Sequence, residues 1–236
     1  MKTPKAAKKR DAILAAAARV VAVKGYAETT LAEIGEAAGT FAGSLYYYFA
    51  NKDALIEEVL NIGTTSVSRP VEEALDRLQP DAPAWHRIKS ALDAHMQQML
   101  VGNDYISAYW KIVDQVPEEM RERHRQHPRA YGNLWRNLMR EGQAAGIVRP
   151  EVDPNLAQLF LLGATIYALD WYRPNGTLSP RDVSDRLADM FFRGVAPADA
   201  ALGPLPTDKP AARKRKTATT APAKQAPAGR KARTAP

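Results

Sequence analysis

Residues 29–49 read TTLAEIGEAAGTFAGSLYYYF, and this stretch decides the fold. Thr30, followed three residues later by Glu33, has the spacing of a capping box, in which each side chain serves the other's backbone N–H at a helix start. Leu31, Ile34 and Ala38 then share one face of a short helix that Gly39 ends. A second short helix is predicted from about Ala42 to Tyr48, with Leu45 and Phe49 on its inner face. Gly35, Ala37, Ala38 and Gly43 are small enough to let two short helices cross closely. That close crossing is what a helix-turn-helix needs if its second helix is to enter the major groove.

The second helix carries the candidate DNA-facing residues. Ala42 and Gly43 have almost no side chain, so the backbone there is open to bases or phosphates. Tyr46, Tyr47 and Tyr48 are consecutive and point about 100° apart, so at least one hydroxyl must face outward. Thr40, Phe41 and Ser44 belong to the same segment, and Phe41 suits contact with a thymine methyl group. Thr29 and Thr30 stand at a helix N-terminus, where hydroxyls and amides favour phosphate, and Lys52 opens the next helix with a cation.

Outward from this motif the chain reads as helix from residue 9 to residue 196, an all-α fold. A first helix is predicted from Lys9 to Lys24, stopped by Gly25. Asn51 caps one from Lys52 to about Asn61, and Pro70 is expected to open another near residues 71–78. Further helices are expected at Ala84–Leu100 and Asp104–Asp114, a short one from Pro117, and one that follows His127-Pro128 and runs to Ala145. Asp153-Pro154 and Ser179-Pro180 start the last two, which end near Tyr172 and Val195. The domains expected are a basic disordered arm (1–8), a helix-turn-helix domain (9–61), a larger helical domain (62–197) and a disordered Ala/Pro/Lys tail (198–236).

Composition narrows the function. The chain of 236 residues has no cysteine, which excludes disulfides and thiolate metal sites. Its net charge of +7 is unevenly spread: +5 in residues 1–10 and +8 in residues 203–236 leave the body at −6. Such basic ends attract polyanions. The N-terminus lacks a signal-peptide pattern, and the apolar run Leu156–Tyr172 contains Gln158 and Asp170, so a cytoplasmic protein with no membrane partner is expected. No phosphate loop, zinc-protease motif or nucleophile elbow is present, and no catalytic residue is assigned. His124 and His127 have metal-ligand spacing but lie in RERHRQHPR, where positive charge disfavours a dication; no metal and no cofactor are expected.

The stretch from Thr29 to Leu55 resembles the DNA-binding domain of the tetracycline-repressor (TetR) family. The resemblance rests on Thr30, Ile34, Ala38-Gly39, Gly43-Ser44-Leu45-Tyr46, Phe49 and Lys52-Asp53-Ala54-Leu55. Gly35, Thr40, Phe41 and Ala42 depart from the family's usual residues, which leaves few base-reading side chains. The resemblance implies an all-α protein of about nine helices, a DNA-binding repressor that dimerises through its last two helices and holds a ligand cavity in the larger domain. Two-fold symmetry then implies a palindromic operator on double-stranded DNA.

For that cavity, the candidate lining is Met96, Met99, Tyr105, Tyr109, Trp110, Trp135, Tyr167 and Trp171, since methionine and aromatics make an adaptable apolar wall. The segment 146–180, ending WYRPNGTLSP, is similar to the C-terminal region of family members that regulate lipid and steroid catabolism, several of which respond to acyl-CoA thioesters. The resemblance therefore implies an acyl-CoA-type effector, whose phosphates need cations. Arg69, Arg87, Arg121, Arg123, Arg125 and Arg129 are the candidates. A nucleoid-type protein that binds DNA broadly through its basic ends is the alternative.

Overall fold

In the computed structural model, which describes residues 4–101 and 104–198 except for the Arg125 side chain, α-helix is the only regular secondary structure among the described residues. The helices are α1 (Pro4–Lys24), α2 (Leu31–Ala37), α3 (Ala42–Leu45), α4 (Lys52–Asp76), α5 (Ala84–Leu100), α6 (Asp104–Ile112), α7 (Glu118–Ala144), α8 (Pro154–Trp171) and α9 (Pro180–Val195). None is long and apolar enough to cross a membrane among the described residues.

The caps form as their residue types dictate. Thr30 and Glu33 close a capping box on α2, and Ser179 and Asp182 close another on α9. Asn51 accepts from Ala54 N at 2.8 Å, and Asp153 from Asn155 N at 2.7 Å.

Four boundaries differ from expectation. α1 begins at Pro4 rather than Lys9, so residues 4–8 of the expected disordered arm are helical. Pro4 fits a first helical turn, where a missing N–H costs nothing. α3 is regular only to Leu45; Tyr47 N and Tyr48 N instead donate to Ser44 O and Leu45 O, an i→i−3 pattern that tightens the last turn. Pro70 lies inside α4 and Pro128 inside α7, where separate helices were expected. A proline in a helix interior loses one hydrogen bond and strains the preceding turn. Around Pro70, the packing of Val67, Val71 and Leu75 into one core offsets that cost. The predicted domain boundary at residue 61 therefore falls inside a continuous helix. The basic tail lies outside the described residues beyond Ala198.

Two apolar cores organise these helices. One unites α1, α2, α3 and the N-terminal half of α4 with Ala108, Tyr109 and Ile112 of α6. The other unites α5, α7, α8 and α9 with the C-terminal part of α4 and Ile106. In the second, the buried Lys89 pairs with Asp93 on its own helix and with Asp185 of α9 at 2.7 Å, while Ser184 Oγ donates to Asp93 Oδ1 at 2.6 Å. This clamp ties α5 to α9.

The two cores meet where α4 crosses α6 at Gly63. A side-chain carbon there would lie 2.6 Å from Tyr105 O and 3.0 Å from Tyr109 Cβ. Because backbone blocks that space, Gly63→Ala is expected to force the helices apart and to cost about 1–3 kcal/mol, the usual penalty of overpacking. A thermal melt checks this; an unchanged midpoint would refute the tight crossing.

Candidate DNA-binding face and internal cavity

The turn between α2 and α3 is held from below. Thr40 N donates to Gly35 O at 2.8 Å, and a side-chain carbon on Gly35 would lie 3.0 Å from Thr40 O. Glycine in place of the usual alanine thus matches the close return of this turn. Lys9 Nζ donates to Ala38 O and Gly39 O, both at 3.2 Å, which satisfies the C-terminal carbonyls of α2. The Glu33 carboxyl is held down at about 2, first by its hydrogen bond to the Lys24 ammonium and then by the Thr30 N–H and hydroxyl.

With the scaffold so fixed, one face projects outward. Phe41, Tyr46 and Tyr47 are 86 %, 61 % and 73 % exposed, and Gly43 and Ser44 stand beside them in solvent. Thr30 is exposed at the start of α2. Thr40, Ala42 and Tyr48 are half-buried, and Tyr48 packs against the first core. Leu45 and Phe49 are buried in it.

Two of the candidate phosphate ligands are committed elsewhere. Thr29 is buried, and its hydroxyl donates to Gly25 O at 2.7 Å, which closes the turn after α1. Lys52 Nζ donates to Tyr26 O at 2.6 Å and lies 4.3 Å from the Tyr26 ring centroid, while Tyr26 OH donates to Asp53 Oδ1 at 2.6 Å. The Lys52 ammonium thus fastens the start of α4 to the loop before α2.

A cavity of about 510 Å³ borders the second core, lined mainly by apolar atoms from α4, α5, α6, α7 and α8. Of the eight candidate residues, Met99, Tyr109 and Trp110 line it. Met96 and Trp135 are packed solid within the core, and Tyr105 packs against the first core. Tyr167 and Trp171 point outward on α8, 67 % and 45 % exposed. Periodicity marks an apolar residue as inward or outward, but not whether it meets a neighbour or a void. Among the candidate arginines, Arg69, Arg87, Arg121 and Arg123 pair with Glu73, Glu141, Glu118 and Glu57, and only Arg129 lines the cavity, with Glu122 3.7 Å away. The Arg125 side chain lies outside the described residues.

The cavity's polar floor was not anticipated. His95 Nε2 lies 2.8 Å from Thr165 Oγ1, and His95 Nδ1 lies 2.9 Å from Tyr131 Oη. The Thr165 hydroxyl spends its only hydrogen on Leu162 O at 2.7 Å, so it accepts from His95 Nε2–H. Nδ1 of the neutral ring must then accept from Tyr131. Every hydrogen in this chain is accounted for with no net charge. Burial holds the His95 pKa down at about 3 and pushes the Tyr131 hydroxyl well above its usual range. His127 and Arg136 of α7, and Gln158 of α8, also line the cavity. His124, the other member of the histidine pair, is buried with neither ring nitrogen hydrogen-bonded, and burial lowers its pKa.

Two family models match the chain in tandem: "Bacterial regulatory proteins, tetR family" over residues 13–59, and "Tetracyclin repressor-like, C-terminal domain" over residues 81–195. The chain belongs to the TetR family. It is thus a member of a family of helix-turn-helix transcriptional regulators. It is 27 % identical over 194 residues to the HTH-type transcriptional repressor KstR2 of Mycolicibacterium smegmatis, covering 80 % of this chain and 91 % of that one. The solved ketosteroid regulator KstR2 of Mycobacterium tuberculosis superposes with a TM-score of 0.72 at 22 % identity, over 80 % of this chain and 95 % of that one. AibR, solved with isovaleryl coenzyme A and operator DNA, gives 0.68 at 22 %, over 78 % of this chain and 98 % of that one. These two likenesses support the TetR fold.

Within this TetR fold, His95 offers a stability test. Unfolded, it titrates near ~6.5, whereas folded it stays neutral down to about 3. Between those values the unfolded chain binds the extra proton. Stability is therefore lost as pH falls below about 6.5, by at most about 1.4 kcal/mol per pH unit from this group. Urea titrations at neutral and mildly acidic pH are expected to show this loss. His95→Leu is expected to be less stable at neutral pH but to lose less on acidification; equal losses in both proteins would exclude His95 as the source.

Proposed function

We propose that this TetR-family protein is a homodimeric transcriptional repressor, acting in the cytoplasm, that leaves its operator when a small hydrophobic effector fills the internal cavity. The observation that carries the proposal is the position of α6. Tyr109 lines the cavity and at the same time belongs to the core that seats the helix-turn-helix. Just beyond α6, Gln115 Oε1 accepts from Tyr26 N at 3.0 Å, so the same segment also grips the turn between α1 and α2. A ligand that displaces α6 has a direct mechanical route to the DNA-binding face. It shifts the equilibrium only through its unequal affinity for the two arrangements.

On the DNA side, Phe41, Gly43, Ser44, Tyr46 and Tyr47 are proposed to meet the major groove, with Thr30 at the backbone. Thr40, Ala42 and Tyr48 are proposed to seat the helix at its edge. Thr29 and Lys52 are proposed to act through the shape of the domain. The dimer is proposed to form on α8 and α9. Leu156, Phe160, Tyr167 and Trp171 make an exposed apolar stripe on α8, and the exposed Met190 adds to it from α9. A stripe of this kind on a regulator that reads two half-sites favours an isologous interface. For the effector, an acyl or steroid CoA thioester is proposed. Its support is the similarity to KstR2, the isovaleryl-CoA complex of AibR, and a cavity with an apolar body and cations on its wall.

Binding of the full chain to DNA from its own upstream region, with excess random competitor and with or without acyl- and steroid-CoA thioesters, tests this. A discrete complex that survives competitor and is dissolved by one thioester is expected. Gly43→Glu is expected to weaken that complex at least tenfold without unfolding the protein, since a side-chain carbon at Gly43 meets nothing within 4 Å. Equal stripping from all DNA would instead favour broad binding through the basic ends.

Phe160→Asp places a charge in the α8 stripe. It is expected to shift the protein to monomer in sedimentation velocity and to abolish the operator complex. A dimer that persists would remove α8 from the interface.

A further inference from the structure

Gln158 is buried within the fold, with 6 % of its surface exposed, and lines the cavity, where no side-chain hydrogen bond holds its amide among the described residues. An amide that opens to a cavity without a protein partner keeps its donor and acceptor capacity for a ligand. It faces the cavity wall beside Arg136. The partners of Arg136 are amide oxygens, Asn155 Oδ1 at 3.1 Å and Asn133 Oδ1, and no carboxylate pairs with it among the described residues. A guanidinium has five N–H donors, so this one keeps donors in reserve.

The two groups meet at Gly132 of α7. A side-chain carbon there would lie 3.5 Å from Gln158 Oε1 and 3.6 Å from Arg136 Nη1. Glycine therefore leaves a notch open between a guanidinium with no carboxylate partner among the described residues and the Gln158 amide, at the edge of a cavity lined mainly by apolar atoms. The floor beyond it, from Tyr131 through His95 to Thr165, is neutral and internally satisfied, so it makes no demand on a ligand's charge.

We infer that this notch holds the anionic head of the effector: one oxygen of an acid group accepts from the Arg136 guanidinium and a second from the Gln158 amide N–H, brought to the notch by a half-turn of the amide that exchanges Nε2 for the Oε1 now facing it, while the apolar body lies in the cavity. Two oxygens on one atom suit the pair, and a charge-assisted bond beside a neutral one fixes the head's orientation. The carboxylate of a free hydrophobic acid and a phosphate of a CoA thioester share this chemistry. The inference rests on the cavity being the effector site, and it names the group that the site reads.

The test compares decanoic acid, decanoyl-CoA and decan-1-ol by calorimetry on the full chain, for wild type, Arg136→Gln, Gln158→Leu and Gln158→Glu. Melting temperature reports that each variant is folded, and Gln158→Glu keeps the side chain's size while replacing its donor with a repelling charge. Wild type is expected to bind one of the two anionic probes at least tenfold more tightly than the alcohol. Which anion it is identifies the source of the head group. Arg136→Gln and Gln158→Leu are expected to bring that anion to the alcohol's affinity, and Gln158→Glu to below it. If the alcohol binds as tightly as the anions, or if folded variants keep the preference, the head-group assignment is wrong while the cavity remains the effector site. If wild type binds none of the three probes, the effector assignment and this inference both fall.

Discussion

Helix α6 is packed from both sides, and the rest of the molecule depends on that packing. Ala108, Tyr109 and Ile112 turn toward the core that carries α1, α2 and α3, while Ile106 enters the core of the larger domain. The crossing with α4 at Gly63 leaves no spare space. Protein interiors are close-packed and respond to strain by switching between packings rather than by deforming smoothly. A nine-residue helix wedged between two cores cannot move on one side alone. The cavity wall and the floor of the DNA-binding domain are in this sense one element.

The cavity is polar in a selective way. Its deepest polar chain runs from Tyr131 through His95 to the Leu162 carbonyl with each donor matched to an acceptor, so it can be buried without charge. By contrast, the Gln158 amide and the Arg136 guanidinium are left with unmet capacity on the same wall. Satisfied groups hold α5, α7 and α8 in register. Unsatisfied ones mark where a ligand has something to offer.

Much of the fold was legible because it follows from local chemistry. The capping box at Thr30, the small residues that let α2 and α3 cross, and the Pro-led starts of α8 and α9 are short-range signals. Pro70 and Pro128 misled because a proline that starts a helix and one tolerated inside it look alike until the burial on either side is known. For the set proposed to face DNA, exposure was partly legible. Consecutive tyrosines guaranteed an outward hydroxyl, but nothing in the sequence says that Lys52 would bond to Tyr26 or Thr29 to Gly25, since both partners are backbone carbonyls. The cavity was least legible. Met96 and Met99 lie on one helix three residues apart, and only the placement of α6 and α8 decides that Met99 meets the void while Met96 meets packed neighbours. His95, Gln158 and Arg136 form no motif, because they come together through the packing of α5, α7 and α8.

Helix α8 has to serve two surfaces, and its sequence shows how. At 100° per residue, Asn155, Gln158, Leu162 and Ile166 fall on the face that lines the cavity. Leu156, Phe160, Tyr167 and Trp171 fall on the neighbouring outward face. This double duty accounts for the weak amphipathicity that makes the segment look like a buried or membrane-bound helix in isolation. Leu159 and Gly163 lie at the seam: both line the cavity, and Leu159 is also half exposed. In the proposed dimer, a partner helix laid along the outward stripe would border the cavity at this seam. The same helix would then feel both the ligand and the second subunit. Occupancy of the cavity would bear on the angle between subunits as well as on α6, and the spacing of two recognition helices across a palindrome depends on that angle.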